Sequence, residues 1–146
     1  MMQITYRPAQ VKDKDNLAAL LRLMHKEVGL SSLNEDKMFN RIDITIQSGV
    51  AFLAEYDGKI IGSMGVFIGD FWYSDDPVLM DSWLFVRKDF RKTRAAWTLL
   101  SKIKMFAKKA KAPLVVGVFS LGDTVRKNKL FSRYFKPAGE FFTDGF

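Results

Sequence analysis

Between Val78 and Phe119 the chain reads as an apolar strand, a basic loop, a long amphipathic helix and a second apolar strand, an order that leaves few folds open. Val78 to Val86 has the composition of a buried strand. Thr93 to Lys111 sets Ala96, Leu99, Leu100, Ile103, Phe106 and Ala107 on one helical stripe. Pro113 then opens Leu114 to Phe119, a continuous apolar run of the kind covered on both faces of a sheet. Strands joined through such a helix lie parallel, linked by a right-handed crossover.

The remaining elements are placed around that unit. Gln3 to Tyr6 alternates as a short first strand. Lys12 to Val28 aligns Leu17, Leu20, Leu21, Met24 and Val28 as a helix stopped by Gly29, and Asn34 to Gln47 turns Met38, Phe39, Ile42 and Ile46 inward. Val50 to Tyr56 and Lys59 to Phe67 flank Asp57-Gly58, a pair suited to the positive φ of a tight hairpin turn. Gly62, Gly65 and Gly69 in the second of these strands signal bulges or close backbone approach. A helix from about Asp123 to Tyr134 and a last strand from about Ala138 to Thr143 complete the order β-α-α-β-β-β-α-β-α-β. The expected fold is α/β (α+β): a mixed, mostly antiparallel central sheet flanked by helices, with one parallel strand-helix-strand crossover.

With 146 residues and no linker or repeat, one domain spanning 1–146 is expected. The absence of cysteine excludes disulfides, thiol nucleophiles and thiolate metal sites, and a lone His25 gives no histidine metal centre, so no metal is expected. No apolar run has the length of a membrane span and Met1 to Arg7 lacks a secretory layout, which points to a cytoplasmic protein without membrane contact. The formal charge of +7 points to an anionic partner without choosing among nucleic acid, an acidic protein and a phosphorylated cofactor.

The loop inside the crossover narrows that choice. Arg87, Lys88, Arg91, Lys92 and Arg94 gather where a helix begins, and the first turn of a helix presents unpaired N–H groups and the positive end of its dipole. Basic residues there do not compensate the dipole, whereas a phosphate would. Small Ala95 and Ala96 allow an anion close to the backbone. A solvated basic loop is the plainer reading of the same residues.

Arg91-Lys92-Thr93-Arg94-Ala95-Ala96 resembles the pyrophosphate motif of the GNAT acyltransferase family, Gln/Arg-x-x-Gly-x-Gly/Ala, with Arg94 at the central glycine position. Ala54 to Gly62 is similar to that family's hairpin, Trp83-Leu84-Phe85-Val86 to its cofactor strand, and Phe135-Lys136-Pro137-Ala138-Gly139 to its C-terminal segment. Met24-His25-Lys26-Glu27 and Arg94-Ala95-Ala96 are similar to compact members found in phages and environmental bacteria. The resemblance implies acetyl-CoA, or another acyl-CoA, as cofactor. Its pantetheine arm would pair with the backbone of Leu84, Phe85 and Val86. Its pyrophosphate would be held by amides from Lys92, Thr93, Arg94, Ala95 and Ala96, assisted by Arg91. Replacing glycine by Arg94 is compatible with this, because a helical residue needs no positive φ.

Acyl transfer to an amine needs a base for the acceptor and a proton for the departing thiolate. Asp81 interrupts an apolar strand just before the cofactor segment and is the candidate base; the plain alternative is an ordinary hydrogen-bonded Asp. The family's acid is a tyrosine in the last helix. Reading back from Phe135 puts Leu130 or Phe131 there, which leaves Tyr134 as the nearby phenol, either the acid from a shifted position or a packing aromatic. His25 and Glu27 are candidates to line the acceptor site, against a solvated or capping role. Trp72, with Phe71 and Tyr73, either walls an acceptor pocket or meets core or a second copy of the chain in a homodimer. Three functions follow in order of preference: an N-acetyltransferase acting on an amine of a small molecule or protein, a domain that binds acyl-CoA without turnover, and a nucleic-acid-binding protein. The last would use Lys102, Lys104, Lys108, Lys109 and Lys111; no base-reading motif accompanies them, so nucleic acid is not the expected partner.

Overall fold

The computed structural model describes residues 3–117 and 124–145. Its elements are β1 (Thr5–Pro8), α1 (Lys14–Val28), α2 (Glu35–Ser48), β2 (Val50–Tyr56), β3 (Lys59–Gly69), β4 (Val78–Val86), α3 (Ala95–Ala110), β5 (Leu114–Val115) and α4 (Thr124–Ser132), with short 3-10 turns before α1 and α3. The strands lie in the order β1-β2-β3-β4-β5, antiparallel from β1 to β4 and parallel between β4 and β5. The expected mixed sheet and parallel crossover are therefore present. Among the described residues no helix is long and apolar enough to cross a membrane.

The two faces of the sheet are covered by different helices. Leu17, Leu20 and Leu21 of α1 and Met38 and Ile42 of α2 pack on Ala51, Leu53, Trp83 and Phe85. Leu99, Leu100 and Ile103 of α3 pack on Ala54, Met64, Val66, Leu79 and Val86. The hairpin turns at Asp57 (φ 52°) and Gly58 (φ 74°), both left-handed as the Asp-Gly pair requires. Gly65 is needed for a different reason: a Cβ there would come within 2.9 Å of the Trp83 ring, which lies across the strand. That indole donates to Ser63 Oγ at 2.9 Å, and Ser63 donates to the Phe52 carbonyl at 2.9 Å, so the polar atoms under the ring are satisfied.

Differences from the sequence reading fall at the ends. β1 begins two positions later than Gln3, and β3 continues to Gly69. Among the described residues of the expected Leu114–Phe119 strand, pairing is confined to Leu114 and Val115, and Val115 is exposed rather than covered on both faces. Residues 118–123, which include Phe119 and Asp123, lie outside the described residues. No strand forms at Ala138–Thr143, and Phe141 and Phe142 are exposed. A strand needs a partner edge, and the short β5 gives none of useful length; Pro137 and Gly139 also weaken the segment.

Candidate functional site: a cavity in the gap between strands β4 and β5

The site begins with a defect in the sheet. Opposite β3, Gly65 faces Trp83 but Val66 faces Asp81, so Ser82 is an extra residue bulged out of β4. A bulge bends and twists its strand. β4 accordingly leaves β5 after Leu79–Leu114 and Met80–Val115, and residues 82–86 have no strand partner on that edge among the described residues. Asp81 bridges the start of the gap, its Oδ1 accepting the Gly117 amide at 3.1 Å. Burial pushes the Asp81 carboxyl above the usual carboxylate range, opposed by hydrogen bonds from the Gly117 amide and its own backbone.

Beyond Asp81 the gap opens into a cavity of about 400 Å³. Leu84, Phe85 and Val86 form its floor, and Arg91, Thr93, Ala96 and Trp97 form the wall where α3 starts. The first regular bond of that helix runs from Thr98 N to Arg94 O, and Thr93 Oγ1 receives the Ala95 amide. The amides of Ala96 and Trp97 precede that regular ladder and have no partner among the described residues. The opposite wall is α4, which contributes Arg126, Lys127, Lys129, Leu130 and, just past its end, Arg133. With Arg91 these make five basic side chains around the cavity, against one acid, Glu27, among the described residues. The sequence reading missed the α4 cations, although Arg126, Lys129, Leu130 and Arg133 follow i, i+3, i+4, i+7 spacing and so share a helix face.

Arg91 is firmly held. Its Nε donates to the Val86 carbonyl at 2.9 Å, its Nη2 to Glu27 at 2.8 Å, and its guanidinium lies 5.3 Å from the Phe85 ring centre. The Arg91 hydrogen bond holds the Glu27 carboxyl below its usual range. Arg94, in the family's glycine position, has φ −86° and no strain; its guanidinium stacks 4.5 Å over Trp97 at the rim. Of the residues singled out for the cofactor, Leu84, Phe85, Val86, Arg91, Thr93 and Ala96 line the cavity, while Lys92, Arg94 and buried Ala95 adjoin it.

A second cavity, of about 280 Å³, lies between the C-terminal half of α1, α2 and β4. Val28 borders both cavities. His25 lines the second one and uses its Nε2 to hold the Ser31 carbonyl at 2.5 Å, fixing the connection to α2. Glu27 instead lines the first cavity. Trp72 lines neither: it is 95% exposed, edge-on to Tyr73. Tyr134 also lies outside both, half-buried against Trp97 and beneath Lys104. Leu130, one of the two positions at which the resemblance puts the acid, lines the cavity and Phe131, the other, does not; among the described lining residues the one hydroxyl is that of Thr93. Of the exposed lysine stripe, Lys104 caps the Tyr134 carbonyl at 2.7 Å and Lys102 rests over Phe52, so part of that face serves packing.

Comparison with known proteins bears on this geometry. The model of the acetyltransferase (GNAT) family matches residues 16–126. Sequence comparison with curated proteins finds no match. Among solved structures, the aminoglycoside N-acetyltransferase AAC(6')-Iy in complex with CoA superposes with TM-score 0.76 at 15% identity, covering 99% of this chain and 95% of that one. A predicted acetyltransferase with acetyl-CoA from Clostridium acetobutylicum gives 0.77 at 17% identity, over 98% and 96%. A ribosomal-protein-alanine N-acetyltransferase from Brucella melitensis biovar Abortus 2308 gives 0.75 at 15% identity, over 98% and 99%. At these identities the neighbours establish the fold, and the match of the family model over most of the sequence establishes the kinship: the chain belongs to the GNAT acetyltransferase family.

Proposed function

We propose that the chain is an N-acetyltransferase that uses acetyl-CoA to acetylate a primary amine of a small molecule or protein. The observation that carries this reading is the cavity in the β4–β5 gap, where unpaired helix amides and five basic side chains converge beside an open strand edge. That donor set suits a pyrophosphate. The open edge suits an amide-bearing arm, which an edge strand can take as an added strand. The residues present therefore fit the cofactor. Leu84, Phe85 and Val86 would hold the arm, and Arg91 with the Ala96 and Trp97 amides and the α4 cations would hold the phosphates. Acetyl-CoA would supply an acetyl group activated as a thioester.

The chain's own contribution begins at Asp81. Its raised pKa makes it a stronger base than an ordinary carboxylate, suited to accept the proton that the acceptor amine gives up. Because Asp81 lines neither cavity, the proton would pass to it through water. No phenol serves as acid in this reading, which is tolerable because a thiol, ionising at about pH 8.5 in ordinary surroundings, leaves far more readily as its anion than an alcohol would. That neither Leu130 nor Phe131 carries a hydroxyl also favours a second reading, binding of acyl-CoA without turnover.

Acetyl-CoA should raise the melting temperature in a concentration-dependent way, as any ligand specific to the native state does. Thiol release over a panel of amines then separates an enzyme from a binding module. Tyr134→Phe should leave that rate unchanged and cost at most about 1–2 kcal/mol of stability, since it removes one hydroxyl from a packed ring. A marked fall in rate with CoA affinity intact would make Tyr134 the acid after all.

A further inference from the structure

The second cavity has a chemical character of its own. Its apolar wall is built from Leu21, Met24, Leu30, Leu33, Met38 and Trp83. Among the described residues no carboxylate lines it. The acids of its two helices that form ion pairs are turned elsewhere: Glu27 to Arg91, Glu35 to Arg22 and Asp43 to Lys14. A polycationic acceptor would need carboxylates to replace its water, and this cavity supplies none from those residues.

Arg41, Ser82 and His25 provide its polarity, and His25 has its Nε2 engaged with the Ser31 carbonyl. Arg41 lines the cavity, and its guanidinium stacks 4.2 Å over the ring of Phe67, a residue outside the lining. Among the described residues it has no carboxylate partner, unlike Arg7, Arg22 and Arg91. Stacking occupies a face of the guanidinium and leaves its in-plane N–H fork for an anion. Ser82, the bulged residue beside Asp81, has the opposite polarity. Thr45 gives its hydroxyl proton to the Arg41 carbonyl at 2.7 Å, so in the 2.6 Å contact between Thr45 Oγ1 and Ser82 Oγ it is Ser82 that donates. Ser82 Oγ then has only lone pairs to offer the cavity, which suits an N–H group.

We propose that the acceptor is an amine that also carries a carboxylate and a bulky apolar group, as an apolar amino acid does. The carboxylate is held by the Arg41 fork, the apolar group fills the Leu, Met and Trp wall, and the amine lies at Ser82, next to Asp81. This rests on the acetyl-transfer reading above and names the substrate class for it. Lysine side chains at the surface of a folded protein fit the cavity less well, because they bring no adjacent carboxylate.

The test uses a product-like probe and needs no turnover. N-acetylphenylalanine and N-acetylphenylalaninamide are titrated by calorimetry into the whole protein without CoA, and phenylalanine, its amide and spermidine are then compared in thiol release with acetyl-CoA. The acid should bind about 10–100-fold more tightly than the amide, the worth of hydrogen bonds to a charged group. Arg41→Met should erase that difference while leaving amide binding and the melting temperature unchanged. Equal binding of acid and amide, or spermidine as the preferred acceptor, overturns the proposal while leaving acetyl transfer standing. Absence of acetyl-CoA binding with acid-selective probe binding intact would instead overturn the acetyl-transfer reading and leave this cavity's selectivity in place.

Discussion

Arg91→Glu should reduce CoA affinity by at least about 100-fold while the protein remains folded. One charge-assisted contact to a phosphate is worth roughly 1.5–3 kcal/mol, and reversal adds repulsion from the new carboxylate. The variant also sets a second carboxylate opposite Glu27, which has then lost its partner, so the cavity's balance of charge changes sign locally. The fold should survive, because the Arg91–Glu27 pair is partly solvated and such pairs contribute at most about 1 kcal/mol. Glu27→Gln provides the contrast. If Arg91 is a phosphate ligand, neutralising Glu27 removes a competitor and leaves CoA affinity equal or higher. If Arg91 is only a strut between α1 and the loop, Glu27→Gln and Arg91→Gln should cost similar stability and neither should alter affinity. Calorimetry with CoA at two salt concentrations distinguishes these outcomes, since a phosphate contact weakens as salt rises. Unchanged affinity in Arg91→Glu would remove the phosphate role.

The parts of this architecture that were legible in the sequence are those fixed by local chemistry. Asp57-Gly58 demands positive φ, and both residues adopt it. The run Val78 to Val86 is largely apolar and forms β4 with those bounds. The basic loop was readable because charge at a helix start is uncompensated without an anion, and six of the nine residues singled out for the cofactor line the cavity. What was hidden depends on tertiary position. The α4 cations matter because α4 is folded across the gap facing α3, which spacing along one helix does not reveal. Ser82 looks like an ordinary strand residue until the register with β3 shows it is bulged, although Gly65 opposite it hinted at close approach. Trp72 shows the converse. An aromatic run suggests a wall, but it lies in the turn before β4 and its ring stacks edge-on with its own neighbour. Ala138–Thr143 has strand-like residues without an edge to join.

Asp81→Asn should cut kcat/KM by about 10²–10⁴-fold, the usual contribution of a positioned acid–base group, with CoA affinity unchanged. The substitution is conservative for the structure. Asparagine keeps an oxygen that can accept the Gly117 amide, so the bridge from β4 to β5 need not break. It also removes the cost of ionising a buried group, and the sign of that effect is testable. The folded-state pKa of Asp81 lies above its ordinary 3.8, so the native protein holds this proton more tightly than the unfolded chain. Stability associated with Asp81 is therefore greatest below about the unfolded value and falls as pH rises through the interval up to the folded one. Above that interval the wild type carries the full cost and the Asn variant does not. Melting temperatures should accordingly be equal or higher for Asp81→Asn at neutral pH, with that advantage disappearing in acid. In the wild type, activity should rise with pH as Asp81 loses its proton, and the variant's residual rate should lack that limb. A variant that keeps its rate but melts much earlier at neutral pH would show that Asp81 serves to tie β5 to β4 across the bulge, and the proton would then need another acceptor.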